Sequence, residues 1–132
     1  SGTYTVKLNA STASGNYDNG LNITTTKAIT ITNAVIKSNS DEGILATTTG
    51  GNITITGVTA MLNGIDGIRL TAIGYNIAIT NGIVTANGNN GIEVTTGAGN
   101  TLTLKNTLWA GNGYPYNPNV ADLVYDGTLV IQ

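Results

Sequence analysis

The chain has 132 residues, 5 basic against 7 acidic for a net charge of −2, and neither cysteine nor histidine. Disulfides, thiolate sites and imidazole ligands or bases are thereby excluded, and five scattered cations cannot neutralise a phosphate backbone, which argues against nucleic acid as a partner. A hydrophobic fraction of 40%, mostly Ile, Leu and Val, suffices for one core in a single domain over 1–132, while no apolar run approaches the ~18 residues of a membrane span.

Taken in chain order, the predicted elements are all short strands. "YTVKL" at Tyr4 alternates apolar and polar residues. "LNIT" from Leu21, "AITIT" from Ala28 and "AVIK" from Ala34 then form a set of three. The set returns as "ILAT", "NITIT" and "VTAM" from Ile44, Asn52 and Val58, and as "IRLT", "NIAIT" and "GIVT" from Ile68, Asn76 and Gly82. It returns once more as "IEVT", "TLTLK" and "TLWA" from Ile92, Thr101 and Thr107, and "GTLVIQ" at Gly127 closes the chain. Gly20, Gly43, Gly67 and Gly91 precede the first strand of each set, 23, 24 and 24 residues apart. No segment shows the 3.6-residue period of a helix.

A unit of three short strands cannot bury its apolar face alone; piled on copies of itself, it buries a continuous column. One predicted column is Leu21, Ile44, Ile68 and Ile92, and another is Ile31, Ile55, Ile79 and Leu104. Each fully buried Ile contributes roughly 1.5–3 kcal/mol. Asn16, Asn39, Asn63 and Asn87 each stand four residues before a repeat Gly, and Asn112 continues the series one residue late. Stacked amides can satisfy one another, so these five residues are predicted to form a ladder. Asn and Gly also tolerate positive φ, which the tight corners between strands demand, at Asn33, Gly57, Asn81 and Asn106 among other places.

The rhythm of "ITITNAVIKSNSDEGI", "ITITGVTAMLNGIDGI" and "IAITNGIVTANGNNGI" resembles the right-handed parallel β-helix repeat of the pectate-lyase-like superfamily. The resemblance implies an all-β right-handed solenoid of about five coils, three strands per coil and a 23–25-residue repeat. It also implies a family of enzymes that cut acidic polysaccharides with clustered carboxylates, Ca²⁺ and a basic residue.

The residues themselves offer no catalytic constellation, and no cofactor is expected. Asp41 and Glu42 share a turn with Asp18 and Asp66 one coil to either side. That edge is either a hard-oxygen cation site or, the preferred reading, a solvated turn. Arg69 and Glu93, one repeat apart, are expected to form a surface ion pair. Outward Thr columns (Thr24, Thr47, Thr71 and Thr95; Thr30/Thr32, Thr54/Thr56, Ala78/Thr80 and Thr103/Lys105) make a grid like that of ice-binding solenoids, interrupted at Ala78 and Lys105.

The third strands place Val35, Thr59, Ile83 and Leu108 outward with Met61 beside them. This is an apolar stripe of the kind that marks an interaction surface, on condition that Trp109 points inward. Tyr114 and Tyr116, in "GNGYPYNPN", either stack on a sugar or a protein partner or fold over the core. Sequons at Asn9, Asn22 and Asn52 permit glycosylation. With no amphipathic capping helix legible at either end, the strand edges are expected to be open. The function expected is therefore an extracellular or cell-surface structural solenoid, a filament, stalk or adhesin, with head-to-tail self-association. A carbohydrate-binding or carbohydrate-processing β-helix is the alternative.

Overall fold

A computed structural model describes residues 4–113 and 122–132. Its strands are β1 (Thr5–Asn9), β2 (Thr12–Ser14), β3 (Leu21–Thr25), β4 (Ala28–Thr32), β5 (Val35–Lys37), β6 (Ile44–Thr48), β7 (Ile53–Thr56) and β8 (Thr59–Met61). They continue with β9 (Ile68–Thr71), β10 (Ile77–Thr80), β11 (Ile83–Thr85), β12 (Ile92–Thr95), β13 (Thr101–Lys105), β14 (Leu123–Tyr125) and β15 (Thr128–Ile131). Every pairing is parallel. The first sheet runs β1-β4-β7-β10-β13-β15, the second β2-β5-β8-β11 and the third β3-β6-β9-β12-β14. The chain visits the three sheets in turn and makes a solenoid of about 5 turns.

The register puts like over like. Ile31, Ile55, Ile79 and Leu104 are mutual neighbours along the first sheet, and Leu21, Ile44, Ile68 and Ile92 along the third. From Ile29 to Leu104 these inward side chains are 0–2% exposed. The period-two pattern of each strand therefore becomes, through stacking, one apolar column per inward position.

Three details depart from the sequence reading. Thr12–Ser14 forms a second-sheet strand in the first coil and Leu123–Tyr125 a third-sheet strand in the last, and neither was anticipated. "TLWA" contributes only a bridge, Ile83 to Leu108, in place of a strand. The repeat glycines are not there for positive φ: Gly20, Gly43, Gly67 and Gly91 all lack it. They are there for space. A Cβ on Gly67 would lie 2.5 Å from both Val84 Cγ1 and Asn87 Nδ2, and 2.8 Å from the Gly91 carbonyl. Positive φ falls instead at Asn33, Gly57, Asn81 and Asn106, as expected, and at the residue before each ladder Asn: Gly15, Ser38, Leu62, Ala86 and Gly111.

Candidate functional site

The corner between the second and third sheets carries a continuous hydrogen-bonded column of amides. Asn39, Asn63 and Asn87 are 0–3% exposed. From Asn39 onward each ladder amide oxygen accepts two hydrogen bonds from the preceding coil. Asn63 Oδ1 takes Asn39 N at 3.2 Å and Asn39 Nδ2 at 2.9 Å, and Asn87 Oδ1 takes Asn63 N at 3.1 Å and Asn63 Nδ2 at 3.0 Å. The second amide hydrogen of each goes to a carbonyl inside the solenoid, Ile36 O for Asn63 and Ala60 O for Asn87. All five predicted residues take part. The first, Asn16, donates to Asn39, but its own Oδ1 receives no donor among the described residues. The last, Asn112, donates N and Nδ2 to Asp122 Oδ1 at 2.9 and 2.8 Å, so a carboxylate from the same chain closes the ladder.

Three residues beyond each ladder Asn lies a second column: Asn19, Glu42, Asp66 and Asn90. Here Glu42 N donates to Asn19 Oδ1 and Asn90 N to Asp66 Oδ1. The signal is a polar residue at one fixed offset, but amides stand at Asn19 and Asn90 and acids at Glu42 and Asp66 between them, so residue type alone does not mark it as one column. The turn acids accordingly separate. Among the described residues Asp18 bonds only within its own turn, to Asn19, and Asp66 is 1% exposed, not solvated. Among the described residues no group of three or more acids is arranged to hold a metal ion.

Arg69 does more than pair with Glu93. From β9 its guanidinium meets Glu93 Oε1 at 2.9 and 3.2 Å and Glu42 Oε1 at 3.1 Å, and its Nε lies 3.8 Å from Asp66 Oδ2. One cation thus bridges three coils and faces three carboxylates. The hydrogen bonds that Arg69 donates to the Glu93 carboxylate hold its pKa above the usual value. Asp66 Oδ1 is satisfied by Asn89 and Asn90, whereas the buried Oδ2 has no hydrogen-bond partner among the described residues. Burial raises the Asp66 pKa above an ordinary 3.8, against the pull of those two bonds, and nearby Glu93 pushes the same way. At the opposite corner of the last coil, Asp126 accepts Thr96 N and Gly97 N, which lowers its pKa.

The faces are flatter. The Thr columns stack in the expected register, Thr24-Thr47-Thr71-Thr95 and Thr30-Thr54-Ala78-Thr103. Where Ala78 interrupts the grid, a hollow of about 330 Å³ opens between Asn52, Thr54, Asn76, Thr101 and Thr103. Its amides are held from behind, since Asn52 Oδ1 accepts Asn76 N and Asn76 Oδ1 accepts Thr101 N, both at 2.9 Å. On the second sheet Val35, Ile83 and Leu108 are 38%, 45% and 52% exposed, Met61 is half-buried, and Trp109 packs against the core. Tyr114 and Tyr116 lie outside the described residues. Among the described residues no helix is long and apolar enough to cross a membrane.

A family model described as a right-handed β-helix region matches residues 1–128. The chain belongs to this right-handed β-helix family. Membership gives the solenoid its hand and accounts for the parallel sheets and the stacked corners, but a fold carries no chemistry of its own. No curated protein and no solved structure matches the chain.

Proposed function

We propose that this β-helix is a non-catalytic structural protein of the cell exterior, a rod, stalk or adhesin segment that joins other copies end to end. The observation that carries this reading is the stacking itself: the apolar columns and the asparagine ladder run unbroken through successive coils, so the unit extends along one axis as a rod does. Wherever such a solenoid meets solvent at an end, its unpaired strand edges are a template for another chain. A chain without thiols is also indifferent to an oxidising exterior. Light scattering and negative-stain electron microscopy of the purified chain test the reading. Rods longer than one solenoid are expected; particles of single-chain mass at every concentration contradict it.

One observation favours a second reading, carbohydrate binding. In the hollow around Ala78 the Nδ2 groups of Asn52 and Asn76 and the hydroxyls of Thr54, Thr101 and Thr103 surround a methyl group. Such a mix of donors and apolar surface suits the edge and face of a neutral sugar ring. Calorimetric titration with oligosaccharides, repeated on Ala78→Leu to fill the hollow, separates the two: binding that the substitution abolishes supports the carbohydrate reading.

A further inference from the structure

We infer that the hollow around Ala78 recognises an acetamido group, so that its ligand is an N-acetylated sugar; the inference rests on the carbohydrate reading and narrows it. The outer face of the first sheet repeats one pattern, and the hollow lies where that pattern breaks. Threonine stands at one outward place on β4, β7 and β13, as Thr30, Thr54 and Thr103, and alanine takes that place on β10. Ala78 lacks the hydroxyl and the methyl of its neighbours above and below. Its own methyl therefore becomes an apolar floor between two taller walls. Asn52, Asn76 and Thr101, each one residue before a paired inward residue of its strand, form the remaining edge.

The two amides on that edge are locked with their donors free. A backbone N–H can bond only an acceptor, so Asn76 N on Asn52 and Thr101 N on Asn76, both at 2.9 Å, turn each side-chain oxygen toward the next coil. The Nδ2 groups are left over. Neither donates to a partner among the described residues. Rungs lie about 4.8 Å apart, so the hollow offers two oriented amide donors side by side. No charged residue lines it.

Free donors call for an acceptor, and a methyl floor calls for an apolar group. Asn76 and Ala78 share a strand and a face, about 6.7 Å apart, so one small substituent can meet both. A sugar hydroxyl answers only the first demand. A carboxylate answers it too, but brings a charge that nothing in the hollow neutralises and has no apolar end for Ala78. An acetamido group answers both: its carbonyl oxygen accepts from Asn76 Nδ2, its methyl rests on Ala78, and its N–H is left for a threonine hydroxyl. Asn52 Nδ2 and the hydroxyls of Thr54, Thr101 and Thr103 then serve the hydroxyls of the ring. The volume of about 330 Å³ lies at the small end of ligand sites, which suits one ring with that arm.

Calorimetric titration of the chain with trimers of N-acetylglucosamine, glucose and glucuronate tests the assignment, with saturation-transfer NMR on the acetylated trimer. That trimer is expected to bind about tenfold more tightly than the glucose trimer, as one buried methyl and one hydrogen bond together supply. The strongest saturation transfer is expected at its acetyl methyl protons. Asn76→Asp keeps an oxygen for Thr101 N and replaces the free donor with an acceptor. With unchanged far-ultraviolet circular dichroism, it is expected to erase the tenfold preference. Equal affinity for the three trimers, a preference for glucuronate, or a preference that survives Asn76→Asp overturns the acetamido assignment and leaves the carbohydrate reading standing. No binding of any trimer at millimolar concentration overturns both.

Discussion

Asn63 and Asp66 occupy one turn, three residues apart, and both are buried to within 2%. Asn63 has every donor and acceptor engaged by the coils on either side. Asp66 has one oxygen engaged and the other without a hydrogen-bond partner among the described residues, beside Glu93 and a guanidinium 3.8 Å away. The difference lies in what the coil above supplies. An amide stacked on an amide donates upward and accepts from below, so the pattern propagates without limit. A carboxylate can only accept, so in a column it leaves an oxygen unmatched or requires a cation. Arg69 fills that need in part, from a sheet face with more than a third of its side chain in water, where ion pairs contribute little.

Substitutions at this turn break or sharpen the contrast, and the largest expected effect is at Asn63. Asn63→Ala leaves Asn39 N and an Nδ2 hydrogen of Asn39 without their acceptor and takes a donor from Ile36 O in a buried corner, while Asn87 Oδ1 keeps only the backbone N of residue 63. With unsatisfied buried groups costing about 1–3 kcal/mol each, a loss of about 3 kcal/mol or more is expected in urea unfolding, against about 1 kcal/mol for Asn16→Ala at the exposed end of the same ladder. Gly67→Ala comes next. Its methyl meets Val84, Asn87 and a backbone carbonyl, and overpacking of this kind typically costs about 1–3 kcal/mol.

Asp66→Asn is expected to act in the other direction at pH 7, stabilising by on the order of 1 kcal/mol, because it removes a buried charge and keeps the acceptor for Asn89 and Asn90. The pH dependence sharpens the point. A raised folded pKa means that the Asp66 contribution is fully present below 3.8 and lost as pH rises through the folded value. Asp126 is lowered, so its contribution is present above 3.8 and lost as pH falls through its own folded value. The two windows lie on opposite sides of 3.8. Asp66→Asn should flatten only the upper one, measured as thermal midpoint against pH. The smallest effect is at Leu62, held at φ 57° and half-exposed. Leu62→Gly relieves about 1–2 kcal/mol of left-handed strain and loses about 0.5–1 kcal/mol to chain entropy, for a net gain of about 0.5 kcal/mol in the same urea titration.

Much of this was legible in the sequence, for a physical reason: a solenoid with one period repeats its environment, so residues with strict demands recur at fixed offsets. The apolar columns, the five ladder asparagines and the corners at Asn33, Gly57, Asn81 and Asn106 were all visible in that way. What escaped was either irregular or ambiguous in residue type. Ser38, Leu62 and Ala86 take left-handed backbone although none of them favours it, because the ladder Asn that follows fixes the turn. The column Asn19, Glu42, Asp66 and Asn90 was hidden because acid and amide fill the same place. The repeat glycines were found, but their reason, the lack of room beside the ladder amide, required the neighbouring coil. The β2 strand is three residues long with one inward side chain, Ala13, too short for alternation to declare itself.

The central claim is that each buried polar group is stable in proportion to the partners the adjacent coils give it. Urea unfolding of Asn63→Ala and Asp66→Asn, side by side at pH 7, tests it most directly. The account predicts opposite signs, with the midpoint lowered by the first and raised by the second; two losses of similar size would contradict it.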